Sequence, residues 1–398
     1  MPQASYEYAV GRISQLSTKM LDAAKLRRIY EAGSFQEALA LLLETGYGGN
    51  LSPEQLATEE IDYVIREQLQ ISRRIVWEVT PAPELTSLFL LEVDGHNLKT
   101  LLKARLLGVE APDVLIDGGS FPLEQLKECV ATSNYEPLPK VYRDTLNRIE
   151  AEVARGVDPL KLSAEIDGAM FRHIKNVLDD KHDHSFVRDY FSLQADFQNA
   201  RSVVRARLLN WDVDKLRLML LEGGEIDFNV FLEGMDTPME QLGAKFNRGK
   251  NGKLISQSVE EYVTTGDASV LKRKMETALM HVLRSVKWDM FSLGPIIGYL
   301  MGREAEAKAL RVIFGAKRGG FDTSCPNYTH RKAAVYEGTK NRGHWRPRFR
   351  NDLQGDRPGC VLRGTGTHDR KTDTQTGGQR VCGHLHHRRS RPAGTRSN

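Results

Sequence analysis

A twenty-residue segment occurs twice in this chain with the same arrangement of charged and apolar positions. Residues 89–108 and 191–210 align without gaps, and eight of the 20 aligned positions are identical. Three of these identities are polar: Asp94 with Asp196, Asn97 with Asn199, and Arg105 with Arg207.

A third, weaker copy runs from Glu306 to Lys317, with Glu306 in place of the Asp and Lys317 in place of the Arg. The copies lie 102 and then 110 residues apart, which is too long for a solenoid of short repeats. This spacing predicts three similar domains of about 100 residues each, with boundaries at 1–115, 116–217 and 218–320.

The patterning along residues 1–320 is helical, and no long alternating strand pattern is present. Ser34 and Glu37 have the order of a capping box, and apolar residues at helical spacing follow them. Proline suits the first position of a helix because its missing N–H would have no partner there. Three capping residues precede prolines in this way: Ser52-Pro53, Asp158-Pro159 and Thr237-Pro238. The sequence therefore predicts an all-α fold.

The repeated charges leave two interpretations open. Asp94 and Arg105 are eleven residues apart, so on one helix they share a face but are separated by about 16 Å along the axis. They cannot pair with each other, and each needs another partner. The six candidate charges either tie each domain to its neighbour through ion pairs and helix caps, or line a shared central cavity. They are Asp94, Arg105, Asp196, Arg207, Glu306 and Lys317.

Several stretches resemble the C subunit of the bacterial and archaeal V-type ATP synthases, which is related to the d subunit of the eukaryotic vacuolar proton pump. The order and spacing of these stretches carry the resemblance over roughly residues 5–320. They are Tyr8-Ala-Val-Gly-Arg12, Phe35-Gln-Glu-Ala-Leu39, Glu44-Thr-Gly-Tyr-Gly48, the helix from Asp94 to Leu106, and Pro295-Ile-Ile-x-Tyr-Leu300 with Glu304-x-Glu306 and Leu310-Arg311.

The resemblance implies three helical domains in a funnel with approximate threefold symmetry. It implies a non-catalytic subunit of the central rotor that links the membrane proteolipid ring to the central axle subunits and transmits torque. It also implies a peripheral position on the cytoplasmic face of the membrane, with no cofactor, metal, nucleic acid or small-molecule substrate. The alternatives are a different helical scaffold and a nucleic-acid-binding protein that acts through the tail.

The residues outside the repeat offer little for chemistry. Gly243 to Asn251 has the wrong spacing for a phosphate-binding loop and lacks a hydroxyl after Lys250. His182-Asp183-His184 lies in a predicted loop without a second pair of metal ligands. Cys129 is the one cysteine before residue 320, which fits a reducing cytoplasm. Neither a signal peptide nor a transmembrane helix is predicted.

Residues 321–398 differ from the rest of the chain. They carry a net charge of +10 against −6 for residues 1–320, and only eight of their 78 residues are Val, Leu or Phe. That is too little to form a core, so the tail is predicted to be disordered. We interpret it as an out-of-frame translation that leaves the third domain incomplete, with an open apolar groove along Leu310 and Ile313. The alternatives are a genuine basic arm that binds nucleic acid and a zinc site formed by Cys360, Cys382, His384 and His386.

Overall fold

The computed structural model describes residues 5–47, 61–110, 114–153, 158–180, 184–267 and 269–319. All of them belong to one compact unit, residues 1–341, and the second unit, residues 342–398, lies outside the described ranges. Helices hold 76% of the described residues, and none of these residues lies in a strand. The all-α prediction is confirmed, whereas the predictions for the tail fall outside the described residues.

Sixteen helices make up this part of the chain, and their lengths range from 6 to 25 residues. In chain order they are α1 (Tyr6–Ser17), α2 (Ala23–Glu31), α3 (Phe35–Glu44), α4 (Ile61–Val79), α5 (Pro83–Leu88), α6 (Leu91–Leu107), α7 (Leu123–Thr132), α8 (Lys140–Val153), α9 (Pro159–Asp179), α10 (Ser185–Leu208), α11 (Val213–Met219), α12 (Phe228–Glu233), α13 (Met239–Lys245), α14 (Gly249–Thr265), α15 (Ser269–Ser285) and α16 (Gly294–Arg318).

The helix starts follow the capping signals of the sequence. Ser34 accepts the N–H of Glu37 at 3.1 Å, and the Glu37 carboxylate accepts the N–H of Gly33 at 2.7 Å. Asp158 caps α9 by accepting the N–H of Leu160 at 2.8 Å. Both predicted helix starts are confirmed, but the carboxylate of Glu37 binds the N–H of Gly33 and not the N–H of Ser34 that a capping box uses. The helix after Thr237 begins one residue later than predicted, at Met239, and Ser52-Pro53 lies outside the described residues.

The three repeat segments form α6, α10 and α16, and each has its most extensive long-helix contact with a different partner. These partners are α9 for α6, α15 for α10, and α4 for α16. Each repeat helix also contacts a short helix, which is α7, α12 and α2 respectively. The third set therefore combines a helix near the end of the described chain with helices near its beginning.

The prediction of an open apolar groove along the third repeat helix is wrong. Leu310 and Ile313 on α16 are 0% and 1% exposed. They belong to a core cluster with Leu26 and Ile29 of α2 and with further residues of α3 and α4. The N-terminal helices cover the face that sequence reasoning left open, because that reasoning looked for a covering helix only downstream of α16.

Candidate functional site

Asp94 lies in the first turn of α6 and is 0% exposed. Its two carboxylate oxygens accept the backbone N–H groups of Ser120 at 2.8 Å and Phe121 at 3.2 Å, just before α7 begins. Burial raises the pKa of this carboxyl to about 7, although the two N–H groups favour its charged form. Asp94 therefore fixes the segment that leads into α7.

Asp196 repeats this arrangement on α10 and is also 0% exposed. It accepts the N–H groups of Glu225 at 3.0 Å and Ile226 at 3.1 Å, just before α12 begins. The side-chain amide of Asn251 donates a third hydrogen bond at 2.8 Å. Burial raises the pKa of the carboxyl, and these donors oppose that shift.

Glu306 provides the third acidic position, on α16, and is 3% exposed. It accepts the N–H of Leu21 at 2.6 Å, just before α2 begins, and pairs with Arg303 at 2.8 Å. Burial raises the pKa of this carboxyl to about 7, and the charge of Arg303 opposes the shift. The anchored N–H lies two residues before the short helix in all three copies, at Phe121, Ile226 and Leu21.

The three basic positions hold the other ends of the same short helices. Arg105 donates to the carbonyl of Val130 near the end of α7, to the hydroxyl of Ser133 at 2.7 Å, and pairs with Glu150. Arg207 donates to the carbonyls of Gly234 and Thr237 after α12. Lys317 donates to the carbonyls of Tyr30 at 3.0 Å and Ala32 at the end of α2. Cations at the carbonyl end of a helix stabilise its exposed acceptors.

The structure thus places all six candidate charges against the backbone of a neighbouring short helix. In each copy the carboxylate binds the start of that helix and the cation binds its end. Among the described contacts, no two of the six charges pair with each other. The short helix held in this way is α7 in the first copy, α12 in the second and α2 in the third. Of these, α2 comes from the N-terminal part of the chain.

Two glycine pairs are part of this arrangement and were missed by sequence reasoning. A Cβ atom on Gly119 or Gly224 would lie 2.1 Å from a carboxylate oxygen of Asp94 or Asp196. The preceding residues, Gly118 and Gly223, adopt φ angles of 83° and 90°, which favour glycine. The recurrence of Gly-Gly downstream of both complete repeats was a signal that could have identified them.

Asn97 and Asn199 form a further contact that recurs in two copies. Asn97 exchanges hydrogen bonds with the backbone of Ile116, donating at 2.7 Å and accepting at 2.9 Å. Asn199 does the same with Leu221, at 2.9 Å and 2.7 Å. The third copy has Ala309 at this position and so lacks these hydrogen bonds. Both asparagines satisfy buried backbone groups ahead of the short helix.

Apolar residues at equivalent positions of the three repeat helices contact one another or a common neighbour. Phe89 and Phe191, each five residues before the acid of its repeat, have ring centroids 4.9 Å apart. Met301 holds the same position before Glu306, and its sulfur lies 3.7 Å from the hydroxyl of Tyr190. The Tyr190 ring is in turn 5.1 Å from the ring of Phe89.

Polar residues three positions further along form a second set of contacts. Gln194 donates to Glu92 at 2.6 Å, which joins α10 directly to α6. Glu304 holds the same position on α16 and pairs with Arg73 of α4, whose guanidinium also donates to the carbonyl of Asp117 at 2.9 Å. A polar contact thus joins α10 to α6, whereas the corresponding residue of α16 binds α4.

Among the described residues, no group of three or more His, Cys, Asp or Glu side chains could hold a metal ion. His182 and Asp183 lie outside these residues. Gly243 lies in α13 and Gly249 begins α14, and Cys129 is buried on α7. No described helix is long and apolar enough to cross a membrane.

The chain is similar in sequence to known proteins over most of its length. Residues 9–326 match the family model described as ATP synthase (C/AC39) subunit. The chain is 22% identical to the C subunit of the A-type ATP synthase of Methanocaldococcus jannaschii, over 79% of its own length and 83% of that protein. It is 26% identical to the C subunit of the V-type ATP synthase of Deinococcus radiodurans, over 77% and 86%. It is 25% identical to the C subunit of the V-type ATP synthase of Thermus thermophilus, over 72% of its own length and 86% of that protein.

The family model covers most of the chain and all three repeat helices. The resemblance found in the sequence is thereby confirmed. This family is a structural, non-catalytic subunit of rotary ATP synthases, and ion transport follows from the complex as a whole. The chain belongs to the ATP synthase (C/AC39) subunit family.

Proposed function

We propose that this chain is the coupling subunit of the central rotor. It links the membrane proteolipid ring to the central axle subunits and transmits torque during ATP-coupled proton or sodium transport. Membership of the ATP synthase (C/AC39) subunit family supports its place in such a complex. In this role the chain works as a mechanical connection, so its rigidity and its two binding surfaces determine its function.

The observation that carries the proposal is the contact between equivalent residues of the repeat helices. Phe89 lies against Phe191, and Met301 reaches the same group through Tyr190. A rotation that superposes three helices brings equivalent residues together only near its axis. These contacts therefore support three helical lobes around an approximate threefold axis, which is an arrangement suited to grip a central axle.

The contacts also favour a modified division into lobes. The consecutive boundaries 1–115, 116–217 and 218–320 stay a prediction. In the division that we propose, one lobe contains α6 to α9, a second contains α10 to α15, and a third combines α16 with α2 to α4. This division keeps each repeat helix with the short helix whose two ends it binds and with the long helix that it contacts most.

The six candidate charges are proposed to stabilise these lobes. Each already binds the backbone of a short helix, and the three carboxylates are buried. Torque transmission requires lobes that do not deform under load, and hydrogen bonds at both ends of each short helix provide such stiffness. Because these charges are occupied inside the lobes, other side chains contact the axle.

The proposed location is the cytoplasmic face of the membrane, as a peripheral subunit between ring and axle. A bridging experiment tests it with the proteolipid ring, solubilised in detergent, and the axle subunits of the same organism. The immobilised ring should retain the axle only when the full chain is present. If the ring retains the axle equally well without the chain, or if the chain binds neither partner, the proposal is wrong.

A further inference from the structure

The buried apolar residues of the described chain form two separate core clusters. The larger one, which we call the main core, contains residues of α1, the end of α4, α5 to α15 and the N-terminal half of α16. The smaller one, which we call the outer core, contains residues of α2, α3, the first half of α4 and the C-terminal half of α16. The first two proposed lobes therefore share one core, whereas the third lobe contains a core of its own.

Two long helices pass from one core into the other. On α4, Leu69 belongs to the outer core and Val76 to the main core, and on α16, Leu300 belongs to the main core and Ala307 to the outer core. The residues between these positions that are buried are Ser72 and Arg73 on α4, and Gly302, Arg303 and Glu306 on α16. Polar side chains thus lie where the two cores would otherwise meet.

These side chains form a connected network at the boundary. The hydroxyl of Tyr299 lies 3.4 Å from that of Ser72 and accepts a hydrogen bond from Nε of Arg303 at 3.4 Å. Arg303 pairs with Glu306 at 2.8 Å, and Glu306 accepts the N–H of Leu21, the first outer-core residue of the chain. We call this network the polar layer and define it as Ser72, Arg73, Tyr299, Arg303, Glu304 and Glu306.

The hydrogen bonding of the polar layer is incomplete. Arg73 pairs with Glu304 and donates to the carbonyl of Asp117, but its Nε is a buried atom without a hydrogen-bond partner. The hydroxyl of Tyr47, in the outer core, also has no partner, and burial and the nearby charge of Glu306 raise its pKa. Buried polar groups that lack partners are costly, so the boundary between the two cores is a weak part of the packing.

The elements around the outer core are held to one another. The rings of Phe35 on α3 and Phe314 on α16 have centroids 5.3 Å apart, and Arg311 on α16 pairs with Asp62 on α4 at 3.3 Å. Among the described helices, the extensive contacts of α2 and α3 are with each other and with α16. We call α2, α3, residues 61–69 of α4 and residues 307–318 of α16 the outer unit. Its own contacts allow it to move as one body.

We infer that the outer unit is a separate cooperative unit that opens at the polar layer while the main core stays folded. Proteins open in contiguous units whose stabilities differ, and a unit is defined by the packing that its members share. The polar layer interrupts that shared packing on both α4 and α16. The inference rests on contacts within the chain and does not depend on the proposed partners. It gives the third lobe a movable outer half.

Amide hydrogen exchange of the full chain at low urea concentrations, resolved by residue with NMR, tests the inference. Protection should change within the continuous helix α16: the amides of Leu310 and Ile313 should exchange at least about tenfold faster than those of Ile297 and Leu300. The amide of Leu42 on α3 should show the same urea dependence as Leu310. This shared dependence distinguishes a common opening from fraying at the end of α16.

Two variants test which residues open together. Asp196→Ala, in the part of the chain with the main core, should accelerate exchange in α10 and leave exchange in the outer unit unchanged. Leu42→Ala should accelerate exchange in α3 and in the outer half of α16 by the same factor. The inference is wrong if Leu300 and Leu310 exchange at the same rate in the wild type, if Asp196→Ala accelerates both cores equally, or if Leu42→Ala acts on α3 alone.

Discussion

Replacing Asp196 by alanine removes the acceptor at the centre of the second copy. Three donors lose their partner: the N–H groups of Glu225 and Ile226 and the amide of Asn251. The hydrogen bonds from Ile226 and Asn251 are buried, and a buried unsatisfied donor costs about 1–3 kcal/mol. The variant no longer desolvates a carboxylate, which offsets part of that cost. We expect the free energy of unfolding to fall by about 2–4 kcal/mol.

Urea unfolding followed by circular dichroism measures this loss, and amide hydrogen exchange locates it. Exchange should accelerate at Ile226 but not at Phe121, whose N–H depends on Asp94. Asp214→Ala, which removes an exposed carboxylate from the first turn of α11, should cost less than about 0.5 kcal/mol. If Asp196→Ala and Asp214→Ala unfold at the same urea concentration, Asp196 does not stabilise the segment before α12.

Three further predictions concern the stability of the protein. Gly224→Ala should destabilise the protein by about 1–3 kcal/mol in thermal unfolding, because its Cβ would lie 2.1 Å from a carboxylate oxygen of Asp196. The control variant Gly11→Ala should stabilise the protein slightly, because Gly11 lies in α1 with open space around it. Because the folded pKa of Asp94 is about 7, above that of an unfolded carboxyl, the folded state binds more protons between about pH 4 and 7. The free energy of unfolding contributed by Asp94 therefore falls as pH rises through that range. Asp94→Asn should reduce the slope measured in urea titrations, and the part due to Glu306, whose pKa is also about 7, should remain. Removal of residues 321–398 should leave the urea midpoint unchanged, because the tail contains only eight Val, Leu and Phe residues; a lower midpoint would show that it packs.

Local sequence signals predicted the local structure. The capping box at Ser34 and the Asp158-Pro159 start depend on residues within four positions of each other, so they can be identified without knowledge of the tertiary fold. The repeat identified α6, α10 and α16 for the same reason, since most of each copy lies within a single helix. The resemblance in residue order then identified the family.

Long-range contacts account for what was missed. Glu306 binds Leu21 across 285 positions, and no sequence pattern around either residue indicates that pairing. The expected groove at Leu310 is closed by helices from the other end of the described chain, for the same reason. The sequence did not determine the partners of Asp94 and Arg105, because helix geometry predicts the helix face on which a charged residue lies but not which element packs against that face.

The most direct test of the coupling role is ATP-driven ion transport by the complex reconstituted in vesicles with and without the full chain. With the chain present, ATP hydrolysis should drive ion uptake, and the two rates should rise together. Without the chain, hydrolysis should continue while ion uptake falls to the background of vesicles that lack ATP. Undiminished ATP-driven uptake in the absence of the chain would contradict the proposal that it transmits torque between axle and ring.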